Sequence, residues 1–139
     1  MSNISYSGLI KRAKSDAQEY MPDLPKTGTI ESWQAFLDTV ESVESGDVAH
    51  ESADSWDWVI YHGKALELCA MLPRSVVDEA ESMMLACGGV EDAFKNGGLG
   101  GIASLIAYWV VLQAVSDEVE TLKDELIDLA QSQIDNLES

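Results

Sequence analysis

His50, Glu51, Asp54, Asp57 and His62 form the one cluster in this chain whose residue types could ligate a metal and support hydrolysis. His50 and Asp54 are one helical turn apart. His62, however, comes twelve residues after His50, and the H-E-x-x-H spacing that sets two imidazoles on one helical face is absent. His62 is therefore read as a structural hydrogen-bonding group beside Tyr61. The segment Gly98-Leu-Gly100-Gly-Ile-Ala103 fits the loose pattern G-x-G-x-x-A ahead of a helix. A dinucleotide fingerprint needs a preceding strand within a βαβ unit, and none is visible here, nor is there a G-K-[ST]. A loop leading into a helix explains those glycines better. No Ser/His/Asp or Cys/His arrangement is supported by a chain with two histidines. The carboxylates recur at solvent-facing helical positions rather than in pairs that would share a pocket. The residues point away from an enzyme, and neither cofactor nor metal is expected.

What remains is the carboxylates themselves. Asp38, Glu41, Glu44, Asp47, Glu51, Asp54 and Asp57 follow one another every three or four residues, and Asp117, Glu120, Asp124 and Asp128 do the same near the C-terminus. On a helix rising 1.5 Å per residue, such charges stand about 5–6 Å apart. Phosphates along one strand of B-DNA advance about 3.4 Å each, with a somewhat larger through-space separation. Carboxylate rows on helices can therefore imitate a phosphate track for a protein whose channel is lined with Lys and Arg. Binding would gain from counterion release, as DNA binding does, and would weaken steeply with salt.

The charge balance agrees. The chain has 25 Asp plus Glu against 8 Lys plus Arg, for a net charge of −17. Residues 1–26 hold Lys11, Arg12, Lys14 and Lys26 against Asp16, Glu19 and Asp23, a net of +1, so the remainder carries −18. That load repels nucleic acid and anionic membrane and favours a basic protein partner, although a plain solubility surface would have the same composition.

These residues need helices to position them. At 139 residues, 46% of them apolar, the chain makes one domain with a sizeable core. Its organising stretch is 101–139. Residues 102–115 are apolar on nearly all sides; beyond them Val115, Val119, Leu122, Leu126, Leu129, Ala130 and Leu137 share one side. Asp117, Glu120, Asp124, Asp128, Asp135 and Glu138 share the other. This predicts one long helix, fed by a loop containing Gly97, Gly98, Gly100 and Gly101. A first helix is expected over 4–21, with Ile4, Leu9, Ala13 and Ala17 inward and Ser2 or Ser5 at its start. Pro22 and Pro25 stop it. Thr29 caps a second helix, which Ser45 and Gly46 close. A third runs from Asp47 to about Leu72 and ends at Pro73; a fourth covers 76–86 and ends at Gly88 and Gly89. A short helical turn over 90–95 follows. Trp33, Trp56, Trp58 and Trp109 are the large core or interface anchors. Cys69 and Cys87 read as core thiols in a reducing, cytoplasmic compartment. The apolar run at 102–115 is shorter than the roughly 20 residues a membrane span needs. The expected fold is all-α, a compact bundle of about five helices ending in a long, acidic, amphipathic C-terminal helix, within a single acidic helical domain.

Ala53-Asp54-Ser55, followed by Val59-Ile60-Tyr61-His62 and Ala65-Leu66, resembles a segment of phage-encoded Ocr-type antirestriction proteins, of the form A-D-x-x-V-P-x-Y-x-x-x-L. The opening Met-Ser-Asn-Ile-Ser-Tyr and the acidic C-terminal helix are similar too. The resemblance covers about a third of the chain, has Ile60 in place of the proline, and leaves the 102–115 run and the glycines before it without a counterpart. It implies a small, usually dimeric mimic of bent B-form DNA that occupies the DNA groove of type I restriction enzymes. Charge and resemblance thus give the same expectation: a phage or mobile-element inhibitor of a host DNA-binding defence system, a restriction enzyme or CRISPR effector, acting in the host cytoplasm as a homodimer. Its partner-binding carboxylates would be Asp38, Glu41, Glu44, Glu51, Asp54, Asp57, Asp117, Glu120, Asp124 and Asp128. The competing expectation is a helical adaptor that self-associates and binds a partner through apolar surface without mimicking DNA.

Overall fold

The computed structural model describes residues 6–56, 62–87 and 90–139, at 62–64 and 87 by backbone alone. Among these residues the fold is all-α. Six helices follow in order: α1 (Tyr6–Glu19), α2 (Ile30–Ser42), α3 (Ser45–Asp54), α4 (His62–Met71), α5 (Arg74–Cys87) and α6 (Val90–Glu138). α6 is the hub. Each of the other five packs on it, while contacts among those five are few.

Each helix follows from a short pattern. Leu9, Ala13 and Ala17 recur every fourth residue and are fully buried, and two of the three are alanines, so α1 lies close against its neighbours. The Thr29 side chain accepts the Ser32 backbone N–H at 3.2 Å and caps α2 as expected. At Pro73 the carbonyl accepts the N–H groups of Val76 and Val77 and opens α5, whose Ala80 and Met84 are buried.

Several boundaries differ from the expected ones. The backbone leaves the helix at Val43 (φ −70°, ψ 122°), so Ser45 and Gly46 begin α3 instead of closing α2, and Asp47 lies in the first turn of α3. An extended residue ends a helix as well as a left-handed glycine does when its backbone groups find partners. Here the Val43 N–H reaches the Val40 carbonyl, and Lys123 Nζ donates to the Val43 carbonyl at 2.7 Å. The expected third helix, Asp47 to Leu72, is broken at Ser55 and Trp56, and its described residues fall in α3 and α4. The expected roles of Ile4, Ser2 and Ser5, Trp58 and Tyr61, the His62 and Cys87 side chains, and the Gly88–Gly89 stop lie outside the described residues.

The largest correction concerns the glycines. No loop separates 90–95 from the long helix; the helical path runs from Val90 to Glu138, broken at Gly98 alone (φ 58°, ψ −136°). That conformation is open to glycine and strained for other residues. Beyond the break the two arms pack tightly: a Cβ on Gly101 would run into the Ala93 carbonyl. The glycines bend the helix and let its arms touch.

The core is in two parts. The larger gathers α1, α3, α4, α5 and the first half of α6, with Trp56, Leu68, Val111, Val115 and Val119 fully buried. The smaller joins Phe36, Leu37 and Val40 of α2 to Ala130 and Ile134 of α6, with Trp33 packed edge-on to Phe36. On α6 the expected inward set is only partly right. Val115, Val119 and Ala130 are buried, but Leu129 and Leu137 are exposed and Ile134 turns inward instead. By length and composition one stretch of α6, longer than the expected 102–115 run, is apolar enough to cross a membrane, and half of it is buried against the rest of the protein.

Candidate partner-binding surface

The carboxylate rows stand opposite the buried faces just described. On α2, burying Phe36, Leu37 and Val40 turns Asp38 and Glu41 outward, and Glu44 is exposed at the junction with α3. On α3, burying Val48, Ala49, Ser52 and Ala53 turns Glu51 and Asp54 outward. On α6, Asp117, Glu120, Asp124 and Asp128 are all exposed. Asp57 lies outside the described residues. Because the chain leaves the helix at Val43, the acids of α2 and α3 form two rows rather than one ridge.

Few of these carboxylates have an internal partner. Gln34 Nε2 donates to Asp38 at 3.1 Å and Gln113 Nε2 to Asp117 at 2.8 Å, each one turn away. Near Glu51, the Tyr20 hydroxyl is pushed above the usual tyrosine range first by burial and then by the charge of Glu51. Among the described residues no Lys or Arg forms an ion pair with a row carboxylate; the pair that does form, Arg74 with Asp78 at 3.2 Å, lies on α5 and is exposed.

Two of the positive groups, Lys123 and Arg12, are used inside the molecule, while Lys11, Lys14, Lys26 and Lys95 are exposed. Lys123 holds the end of α2, as above. Arg12 lies over the Trp56 ring, 4.2 Å from its centre, and donates to the Ser55 carbonyl at 3.4 Å, near the end of α3. Cations are favoured at helix C-termini, where unpaired carbonyls concentrate negative charge. Beneath Arg12, Asp16 accepts hydrogen bonds from Ser52 Oγ at 2.6 Å and Trp56 Nε1 at 2.9 Å, so the one acid of α1 that faces inward is satisfied. The short range of favourable charge in 1–26 thus serves partly as an internal clamp. The sequence signal was there, in Arg12 and Asp16 one turn apart, but their partners lie about forty residues away and no local pattern names them.

The His50 cluster is not brought together as a site among the described residues. His50 Nδ1 lies 2.8 Å from the Tyr108 hydroxyl and links α3 to α6. That hydroxyl is held above its ordinary pKa by burial and by the charge of Asp54. No group of three His, Cys, Asp or Glu side chains among the described residues is arranged to hold a metal. Cys69 lies half-buried with its Sγ 3.6 Å from the Ala103 carbonyl, and burial followed by the nearby Glu81 charge pushes its thiol pKa up.

Two grooves flank Trp109, and the spacing of residues gave no notice of either. One, of about 190 Å³, lies between α1, α5 and α6; the other, of about 160 Å³, lies between α3, α5 and α6. Met83 and Gln113 border both. Compared with known protein families, curated proteins and solved structures, the chain matches none.

Proposed function

We propose that this protein binds a basic, DNA-binding protein or complex by presenting rows of carboxylates where that partner expects phosphates. The observation that carries this reading is the exposure, without a cationic partner among the described residues, of Asp38, Glu41, Glu44, Glu51, Asp54, Asp117, Glu120, Asp124 and Asp128. Each row rests on a helix whose opposite face is buried, so the charges are held on rigid supports rather than on mobile loops. Together with the resemblance to Ocr-type proteins, this favours a phage or mobile-element inhibitor of a restriction enzyme or CRISPR effector, acting without catalysis as a homodimer in the host cytoplasm. The test is competition. The purified protein is added to type I restriction enzymes and CRISPR surveillance complexes, and DNA binding is measured against salt. Mimicry requires loss of DNA binding that itself fades as salt rises. Normal DNA binding by every complex would remove the reading.

A second reading has its own observation. Leu66, Met71, Leu85, Phe94 and Leu99 are exposed large apolar side chains on α4, α5 and the first part of α6. Surface of this kind suits an adaptor that self-associates or docks through apolar contact. Replacing Asp38, Glu41, Asp124 and Asp128 with Asn or Gln separates the two: mimicry is abolished, whereas an apolar interface is left largely intact.

A further inference from the structure

The larger of the Trp109 grooves has a composition that selects its occupant. Ile10, Val76, Met83 and Trp109 make its walls apolar. Glu79, Asp117 and Glu118 also line it, and Gln113 fixes Asp117 by a 2.8 Å hydrogen bond. No Lys or Arg among the described residues lines it. Its 190 Å³ falls below the range of about 300–1,000 Å³ typical of sites for drug-sized ligands and cofactors. A single long side chain is the right scale. Apolar walls with three carboxylates call for a side chain that is aliphatic along its length and cationic at its tip. Arginine answers better than lysine, because its planar, weakly hydrated guanidinium stacks on an indole and bonds carboxylates two at a time. The protein already contains the combination once, where Arg12 lies over Trp56 and the indole N–H is held by Asp16. The groove repeats the pairing of an indole with carboxylates.

We propose that this groove is an anchor pocket for one arginine side chain of the basic protein partner. It rests on the reading above for the nature of that partner. The stem lies along Ile10, Val76 and Met83, and the guanidinium meets Trp109 and the carboxylates of Asp117 and Glu118. The carboxylate rows supply long-range attraction, while the groove supplies one short-range, desolvated contact of the kind that dominates interface energetics.

The test uses the full-length protein and N-acetyl-arginine amide, followed through the indole N–H resonances in ¹H–¹⁵N spectra, with Trp109 assigned by a Trp109→Phe variant. The expected result is a saturable shift of the Trp109 signal. N-acetyl-norleucine amide, which has the stem without the charge, should bind at least fivefold more weakly. The double variant Glu79→Gln/Glu118→Gln should weaken the arginine probe at least fivefold, and Val76→Phe, which fills the groove, should remove the response while circular dichroism reports an unchanged helix content. Should Val76→Phe not fold, the charge variant and the norleucine comparison still decide. The proposal is overturned if Trp109 shows no saturable shift, if norleucine binds as well as arginine, or if the charge variant titrates like the parent. Neither Glu79 nor Glu118 belongs to the DNA-mimicking rows, and the probe competes with no DNA. Arginine capture without any DNA competition would therefore keep the pocket and remove mimicry, and the reverse pair of results would do the opposite.

Discussion

Asp16 is a carboxylate in a protein full of them, yet it does a different task from the rest. It is half-buried and takes two hydrogen bonds, from Ser52 Oγ and from the indole N–H of the fully buried Trp56. A charged acceptor of two donors is worth more than a neutral one, and losing it leaves the Trp56 indole N–H only its longer, 3.2 Å bond to Ser52 Oγ and takes the acceptor from the Ser52 hydroxyl. Asp16→Ala should therefore cost about 2–4 kcal/mol in denaturant unfolding, far more than Asp38→Ala on the surface, which should stay within about 0.5 kcal/mol. Cys69 offers a second check. Its thiol pKa is raised, so the folded state favours the neutral form. The sign follows: the stabilisation is full below the ordinary thiol pKa and is lost as pH rises through the raised one. Alkylation by iodoacetamide near pH 8 should be slower for the native protein than for the same chain in denaturant, and should accelerate only at distinctly higher pH. Equal rates in the two states would contradict this placement.

At the scale of the element, α6 decides the architecture, and its bend decides α6. Residues 99–138 alone form a rod about 60 Å long at 1.5 Å per residue, long enough to carry α3 and α2 one after the other along its length. Gly98 turns the chain and Gly101 lets Ala93 come into contact across the bend. Gly101→Ala must push a Cβ into a backbone carbonyl, so it should destabilise by about 3 kcal/mol or more, as overpacking against a part that cannot yield does. Gly98→Ala meets no atom and carries only the backbone strain of φ 58°, ψ −136°, about 1–3 kcal/mol. Thermal melts of the two variants should rank in that order. The sequence placed the glycines at the head of the long helix correctly but read them as a loop. Glycine density signals freedom of the backbone, and whether that freedom is spent on a loop or on a close crossing depends on what approaches, here Ala93.

Across the whole molecule, salt should act in two opposite senses. Among the described residues the row carboxylates have no Lys or Arg ion-pair partner and repel one another, so added NaCl should raise the melting temperature by screening that repulsion. The same salt should weaken binding to a basic partner. A melting temperature indifferent to salt between about 20 mM, where screening is weak, and about 500 mM, where it is strong, would mean that the surface charges are too dispersed to act together. The outward set of carboxylates was legible in the sequence because helical periodicity alone separates an acid that follows a buried stripe from one that belongs to it: Phe36, Leu37 and Val40 settle Asp38 and Glu41. The all-α class, the long C-terminal helix, the Thr29 cap and the Pro73 boundary were legible for the same local reason. The division of the carboxylates of α2 and α3 into two rows, the Arg12–Trp56–Asp16 clamp, the hold of Lys123 on Val43 and the groove beside Trp109 were not. Periodicity fixes which way a side chain faces on its own helix; only packing decides which distant helix stands in front of it.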